Sequence, residues 1–238
     1  MAETLWHTKS GDEVITEFDT PLGGLSTREA EIRLEKYGEN KLREPEKTSA
    51  FIRFLSQYHD PLNYLLIGAG LLALATHPDQ PGDAIFIAIV LTLNAFFGFW
   101  QENKAEQEMG ALKQMTISRC IVCRDGMEME INTSQLVPGD IVKIEEGLNV
   151  PADLRVSEAW QCKVDESALT GESMPAKVSE DALPPETLLA DRKNMLYMGT
   201  TISTGRAVGI VTATGMKTEL GKIANDIAEA ETPKTPLE

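Results

Sequence analysis

The longest uninterrupted apolar stretches of the chain are two neighbouring segments, residues 61–76 and 84–100. Neither contains a charged side chain, and both are apolar all round, unlike a surface helix with one apolar stripe. Each approaches the ~17–25 residues that a helix needs to cross a bilayer. The polar, turn-forming link at 77–83 suits the tip of a hairpin. The pattern predicts two membrane spans, against the alternative of two buried helices in a soluble core.

Basic residues flank this pair of segments. They are Lys41, Arg43, Lys47 and Arg53 before the pair, and Lys104 and Lys113 after it. Between Arg53 and Lys104 there is no Lys or Arg. Because cytoplasmic loops carry an excess of basic residues, both ends of the hairpin are predicted to be cytoplasmic and its link to be outside.

Helix signals lie on both sides of the hairpin. Ser26 caps a predicted helix that ends near Gly38. The amphipathic segment 50–55 is expected to lie along the membrane surface. After Trp100 the chain is rich in helix formers as far as Met115, so the second span is expected to continue as a cytoplasmic stalk.

From Met115 the pattern changes to short alternating segments separated by turn signals. Strands are predicted at 117–122, 141–144, 150–156 and 205–214, and a closing helix from Lys217. Arg124-Asp125-Gly126 is a hairpin signal. The predicted fold class is therefore mixed: a transmembrane helical hairpin plus a compact all-β body.

Composition narrows the functional classes. The chain has 22 Lys and Arg against 37 Asp and Glu, which argues against a general nucleic-acid binder. Its three cysteines, Cys120, Cys123 and Cys162, are too few and too irregular for a secreted disulfide framework. Cys120 and Cys123 have C-x-x-C spacing, but residues three apart on a strand face opposite sides. No metal site is predicted, and the thiols are expected to be structural.

The strongest candidate for chemistry is a loop within residues 163–175. Its centre consists of Thr170, Gly171, Glu172 and Ser173. A carboxylate held between hydroxyls and a glycine can orient a water and accept its proton, provided that an electrophile is brought against it. The sequence offers no such electrophile, so it predicts half of a reaction centre. The alternative is a surface turn whose Glu172 is simply solvated.

Several motifs resemble those of P-type cation-transporting ATPases and occur in that family's order. They are LVPGDIV, NVPADLRV, VDESALTGES, NMLYMGT and TGMKTELGKI, and the stretch from Trp6 to Leu42 resembles the family's N-terminal segment. The similarity is strongest to the calcium-pump-like branch with its bacterial and archaeal members. It implies a multi-pass protein of a prokaryotic plasma membrane.

The resemblance also implies an architecture. The β body would be the actuator domain, a distorted jelly roll completed by the N-terminal helices, and the hairpin would be the first two transmembrane helices. The implied domains are an N-terminal cytoplasmic helical segment (1–48), the hairpin with its stalk (49–114), the actuator domain (115–226) and a linker toward a third transmembrane helix (227–238).

For the site, the resemblance implies that Glu172 holds and deprotonates the water that hydrolyses an aspartyl phosphate. Gly171 would let the backbone approach the phosphate. The other loop residues are Thr170 and Ser173, and the residues expected to support the loop are Asp165, Glu166 and Ser167. Asp140 and Asp153 are expected to serve turns.

The chain also departs from the family pattern. It has neither the D-K-T-G-T phosphorylation motif nor a nucleotide-binding domain. Asn94 is the single strongly polar side chain in the middle of the second span, and a cation site needs more oxygen ligands than one amide. The chain alone is therefore expected neither to hydrolyse ATP nor to transport a cation.

These departures leave two functions open. In the first, the chain is the actuator and membrane part of an ATP-driven, calcium-type cation pump. Its expected partners are the lipid bilayer and the rest of the pump, and no nucleic acid is expected to bind. No cofactor is expected in this chain, whereas the intact pump would bind ATP and magnesium. In the second, the chain is a non-enzymatic, membrane-anchored β module that binds or regulates a full-length pump.

Overall fold

The computed structural model describes residues 4–43, 49–59, 61–76, 81–115, 118–171 and 174–230. The chain divides into two compact units. One, the β unit, joins the N-terminal segment, up to Arg43, to the residues from Ser118 onward. The other, the helical unit, contains the helices between them.

The β unit is built on one sheet of seven strands. They are β1 (Arg119–Arg124), β2 (Met127–Asn132), β3 (Ile141–Glu145), β4 (Asp153–Asp165), β5 (Ala176–Lys177), β6 (Met195–Leu196) and β7 (Thr201–Ala213). The strand order is β2-β1-β3-β7-β4-β5, with β6 beside β4, and these pairs are antiparallel. The predicted β body is confirmed in this form, and its finer description as a jelly roll stays a prediction.

The turn between β1 and β2 confirms the predicted hairpin signal. Asp125 and Gly126 have φ angles of 51° and 75°. Positive φ at both central residues is what a type I′ turn requires, and this turn matches the right-handed twist of the flanking strands. In β1 alternate side chains are buried, so that one face of the strand contributes to the core.

The core of the β unit lies on one side of the long pair β4 and β7, each of which spans 13 residues. Aliphatic side chains from the sheet fill it, among them Val122, Leu154, Val156, Val164, Ile202 and Val211. Both long strands extend beyond the predicted segments 150–156 and 205–214. Register shifts between β4 and β7 curve this pair without interrupting the pairing.

Two helices precede the sheet in the same unit: α1 (Gly11–Glu17) and α2 (Thr27–Tyr37). The Ser26 cap of α2 is confirmed, because its side chain accepts a hydrogen bond from Glu29 N at 3.1 Å. Helix α1 was not predicted, although Ser10 and Glu13 form a reciprocal capping box at its start.

Hydrogen bonds from two N-terminal side chains make this segment an integral part of the β unit. Arg33 donates to the carbonyls of Pro138 (2.9 Å) and Phe18 (2.6 Å). Asn40 donates to Pro151 O at 2.8 Å and accepts from Gly215 N at 2.8 Å. Because Pro138, Pro151 and Gly215 lie outside the N-terminal segment, this segment cannot leave the sheet without breaking hydrogen bonds.

The helical unit consists of α3 (Ala50–Ser56), α4 (Pro61–Thr76) and α5 (Gly82–Met115). Among the described residues, α5 is the one helix long and apolar enough to cross a membrane, over Ile85–Ala105. Helix α4 is a shorter apolar helix. The continuous α5 confirms that the second apolar segment extends as helix to Met115.

Close contacts hold the helical unit together. Helices α4 and α5 are in contact at Gly70, where a Cβ atom would lie 3.4 Å from Cγ2 of Ile87, at the limit of ordinary van der Waals contact. Helix α3 contacts α5 through the edge-to-face rings of Phe54 and Phe99. Nearby, the Arg53 guanidinium donates to Asn103 Oδ1 at 2.7 Å. Helix α3 is confirmed as a helix, and its position at a membrane surface stays a prediction.

Candidate functional site

The predicted catalytic loop leaves the sheet at the end of β4 and returns through β5. Val164 is paired with Ala176 across the base of the loop. On the other side of β4, Asp165 is paired with Thr201 of β7. Residues 166–175 are therefore a connection whose two ends are fixed within the sheet. Such a connection can present a side chain in a defined place although it lies outside the strands.

The start of the loop is organised by Asp165 and Ser167. The Oδ1 atom of Asp165 accepts a hydrogen bond from Ser167 N at 2.9 Å. Hydrogen bonds from the Ser167 side chain and backbone lower the pKa of Asp165, since they favour its charged form. One turn of helix, α6 (Ser167–Thr170), follows. The structure thus brings together two of the three predicted supporting residues.

Gly171 ends α6 in the left-handed conformation, with φ 77° and ψ 0°. Its amide donates to Ser167 O at 3.0 Å. Apart from its chain neighbours, no atom of the described residues lies within 4 Å of the position that a Cβ would take. The backbone conformation, rather than crowding, therefore favours glycine here. Glu172 and Ser173 lie outside the described residues, and so does the side chain of Thr170, so their predicted roles stay predictions.

The loop is buried where it leaves β4 and exposed where the chain turns back toward β5. Val164, at the base, is 1% exposed and belongs to the hydrophobic core. Glu166, the third predicted supporting residue, is buried at the start of α6. Met174 is 84% exposed where the chain turns back toward β5. The loop can therefore meet another surface without disturbing the core beneath it.

The cysteines do not contribute to this site. Cys120 and Cys123 face opposite sides of β1, as predicted. Burial raises the pKa of Cys120 to about 12 and that of Cys162 to about 11. Thiols of this kind are poor nucleophiles and metal ligands at neutral pH. Within the part of the chain that the structure describes, no group of three or more His, Cys, Asp or Glu side chains is placed to hold a metal ion.

Comparison with known proteins identifies the architecture around this loop. The family model of the P-type ATPase actuator domain matches residues 114–228. A second model, the N-terminus of cation transporters and ATPases, matches residues 6–73. The chain belongs to the P-type cation-transporting ATPases. The resemblance inferred from the motifs is thereby confirmed.

Individual members of the family are similar to this chain over nearly all of its length. It is 41% identical over 241 residues to calcium-transporting ATPase 1 of Bacillus cereus, which covers 98% of the chain and 27% of the relative. It is 42% identical over 237 residues to the probable cation-transporting ATPase F of Mycobacterium tuberculosis, covering 99% and 26%. With calcium-transporting ATPase of Bacillus subtilis the identity is 40% over 216 residues, covering 90% and 24%. The chain spans about a quarter of the length of these relatives.

In the actuator domain, Asp140 serves a turn, as predicted. Its Oδ2 accepts from Val137 N at 2.9 Å, which closes the Pro-Gly turn before β3. The same carboxylate receives two hydrogen bonds from the Arg124 guanidinium, at 2.8 and 2.6 Å. Both side chains of this pair are buried. The pair therefore ties the β1–β2 hairpin to the turn that starts β3.

Asp153 was also expected to serve a turn, and one of its two hydrogen-bond partners, Met198, lies in a turn. Its carboxylate accepts from Met198 N at 2.9 Å and from Glu219 N at 2.8 Å. Asp153 therefore holds the start of the closing helix, α7 (Glu219–Ala230), against the sheet. Burial raises the pKa of Asp153 to about 6. The hydrogen bonds from the Met198 and Glu219 amides lower the pKa, but burial has the larger effect.

Sequence reasoning missed the polar residues that dock the N-terminal segment onto the actuator sheet. Arg155 is fully buried and donates to the carbonyls of Lys9 (2.8 Å), Glu180 (2.8 Å) and Asn194 (3.3 Å). Burial lowers its pKa to about 10. The side chain of Asn194 donates to His7 O at 2.8 Å. The available signal was an arginine between two aliphatic residues of a core strand, Leu154-Arg155-Val156.

Proposed function

We propose that this chain is the actuator and first membrane part of an ATP-driven cation pump, and that its TGES loop hydrolyses an aspartyl-phosphate intermediate. One observation carries the proposal: a loop fixed in the sheet at both ends, with a left-handed glycine immediately before Glu172. Since no described residue beyond its chain neighbours approaches its Cβ position, this glycine leaves room for a phosphoryl group next to the backbone.

In this proposal Glu172 is the general base. It accepts a proton from a water whose oxygen attacks the phosphorus of the aspartyl phosphate, and the aspartate carboxylate leaves as inorganic phosphate forms. Thr170 and Ser173 supply hydroxyls beside the water. Asp165, Glu166 and Ser167 keep the start of the loop in place. The phosphorylated aspartate, ATP and magnesium belong to the remainder of the pump.

The membrane part of the proposal is a hairpin of two spans, α4 and α5, with both ends in the cytoplasm. Large apolar side chains along these helices support it, since Leu65, Leu71, Phe86 and Phe96 are between 63% and 69% exposed. An Asp79→Cys variant, placed in the link, should react with a membrane-impermeant maleimide added outside intact cells. Protection from the reagent would contradict this topology.

The domain boundaries follow from the same proposal. Residues 1–48 form the N-terminal cytoplasmic segment, 49–114 the hairpin with its stalk, 115–226 the actuator domain and 227–238 the linker toward a third span. Rotation of the actuator domain would pull on the hairpin as Glu172 enters the phosphorylation site, which requires two arrangements that ligands favour differently. Limited proteolysis of the full chain tests these boundaries, because cleavage is expected in the exposed connections between folded units.

The proposed cation is calcium. The support is that two of the relatives described above are named calcium-transporting ATPases. The alternative of a non-enzymatic module that regulates another pump is not favoured. The similarity to cation-transporting ATPases extends through the TGES loop, and a binding module has no need of that carboxylate.

The test is Glu172→Gln in the complete pump that contains this chain. Phosphorylation by ATP should persist and phosphoenzyme should accumulate at steady state, because the variant loses the base but keeps the loop. A matched control is Glu186→Gln, which removes an exposed loop carboxylate of the same domain. Loss of phosphorylation itself in Glu172→Gln would show that the residue has a different role.

A further inference from the structure

A cavity of about 100 Å³, with both polar and apolar walls, lies between the N-terminal segment and the sheet of the β unit. His7 lines it from the N-terminal segment. The opposite walls include Asp153 from β4, Glu219 from α7, and Arg192 and Tyr197 from the chain between these elements. The cavity thus lies where the N-terminal segment, the sheet and the closing helix meet. None of these residues belongs to the TGES loop.

His7 is 1% exposed, and its Nε2 atom has no hydrogen-bond partner among the described residues. The backbone carbonyls of Pro185 and Pro184 lie near enough to the ring to act on its pKa. A buried ring with an unpartnered nitrogen suits the neutral imidazole, because the imidazolium is a donor at both nitrogens.

The place of this ring is tied to the docking of the whole N-terminal segment. The backbone carbonyl of His7 accepts from Asn194 Nδ2 and from Leu183 N, each at 2.8 Å. Two residues on, the carbonyl of Lys9 accepts from Arg155 Nε at 2.8 Å. These three bonds break if the segment moves away from the sheet. A change in His7 that favours solvent therefore opposes all of them.

The charged groups around His7 disfavour a second proton on its ring. Burial and the Arg192 guanidinium lower the pKa of His7, and Arg155 adds to this effect. The carbonyls of Pro185 and Pro184 raise it, but burial and the guanidinium groups dominate. Both effects disappear when the segment leaves the sheet.

The nearby carboxylates and cations are engaged elsewhere. Asp153 accepts from two backbone amides, and Glu219 is paired with Lys222 Nζ at 2.7 Å. Lys217 lies over the Tyr37 ring, and Tyr197 is buried beside Arg192. The three carboxylates that act on Arg155 accept hydrogen bonds from other groups: Asp181 from Ser179 Oγ, Glu13 from Ser10 N and Glu180 from Ala159 N. An imidazolium would therefore face guanidinium groups without a carboxylate partner of its own.

We propose that His7 is a pH switch for docking: neutral His7 holds residues 4–18 on the actuator sheet, and protonation of the ring releases them. The cost of a buried cation beside two guanidinium groups favours the released state, in which water solvates the imidazolium. The switch concerns the assembly of the actuator domain and does not depend on the catalytic role proposed for Glu172.

The direction of the pH effect follows from linkage. In the docked state the pKa of His7 is below its ordinary value of 6.5. The released state therefore binds more protons as the pH falls through about 6.5, and docking weakens in acid. Asp153 has the opposite sign, because its raised pKa makes acid favour the folded state. An acid-induced release therefore cannot originate from Asp153.

The experiment is hydrogen exchange by mass spectrometry on the full chain in detergent micelles. Protection of the peptide that covers residues 4–18 is compared at about pH 7.5 and about pH 5.5, with correction for the intrinsic exchange rate. The proposal predicts that protection falls by about threefold or more in acid. His7→Asn keeps a polar side chain but cannot be protonated, so its protection should not change with pH.

Two further variants keep the result interpretable. His7→Gln is measured in case His7→Asn folds poorly. His59→Asn removes a histidine of the helical unit and should retain the full acid effect. Equal loss of protection in the wild type and both His7 variants would overturn the proposal, as would no loss in the wild type. An NMR titration that gives docked His7 a pKa at or above about 6.5 would also overturn it.

Discussion

The carboxylate of Asp165 accepts a hydrogen bond from the backbone amide of Ser167 at 2.9 Å, directly where the catalytic loop leaves β4. Asp165 also sits opposite Thr201 in the sheet. The residue thus couples the fixed strand to the first turn of the loop. In the proposed mechanism Asp165 would therefore be a positioning residue for Glu172.

Replacing Asp165 should therefore slow dephosphorylation without abolishing it. For Asp165→Ala in the complete pump, we expect about a ten- to hundredfold slower decay of the phosphoenzyme, because a small displacement of the reacting groups is costly. Asp165→Asn retains an oxygen that can accept from Ser167 N and should recover most of the rate. If Asn and Ala behave alike, the hydrogen bond is not what positions the loop.

Gly171 provides a second test of loop geometry. Because its φ is 77°, a substituted side chain costs about 1–2 kcal/mol in this conformation although the surrounding space is open. Gly171→Ala should slow dephosphorylation, whereas the thermal midpoint of the actuator domain should change little, since the loop can relax. The matched control is Gly126→Ala, which has φ 75° and equally open surroundings but lies in the β1–β2 turn. That control should leave dephosphorylation unchanged.

The buried pair of Arg124 and Asp140 is predicted to determine the stability of the β unit. Asp140→Ala leaves a buried guanidinium without its partner and frees Val137 N, so we expect a loss of about 3–5 kcal/mol in the free energy of unfolding. Urea denaturation of the full chain in micelles measures it. A double variant, Arg124→Met with Asp140→Leu, should be less destabilised than Asp140→Ala alone. Equal destabilisation would mean that the ion pair is not the reason.

Asp153 predicts the pH dependence of stability. Its pKa is about 6 in the folded chain against 3.8 ordinarily, so the folded state binds more protons between these values. Its contribution is therefore fully present below about pH 4 and is lost as the pH rises through about 6. Relative to Asp153→Asn, the wild type should lose about 3 kcal/mol of unfolding free energy over this window. Parallel urea midpoints of the two proteins across this range would contradict the assignment.

Features determined by near neighbours in sequence were predictable. The turn at Asp125 and Gly126 needs only residues that tolerate positive φ, and the cap of α2 needs only Ser26 and the amide three residues on. The capping box of Ser10 and Glu13 is also formed by near neighbours in sequence, so the start of α1 could have been predicted from it. It was overlooked.

Features that depend on distant partners were not predictable. Arg155 is satisfied by carbonyls at positions 9, 180 and 194, and no local pattern connects those positions. Asp153 was assigned to a turn because its remote partners, Met198 and Glu219, are visible only in the folded chain. For the site, the TGES motif locates the residues, while the anchoring of the loop between β5 and β7 requires the sheet register.

The central claim, that Glu172 activates the water that hydrolyses the aspartyl phosphate, is tested most directly by a chase of pre-formed phosphoenzyme. The complete pump is labelled with radioactive ATP and chased with unlabelled ATP, in the wild type, Glu172→Gln and Glu186→Gln. The account predicts decay about 10²–10⁴-fold slower in Glu172→Gln alone, the usual contribution of a general base. Decay of Glu172→Gln at the wild-type rate would contradict it.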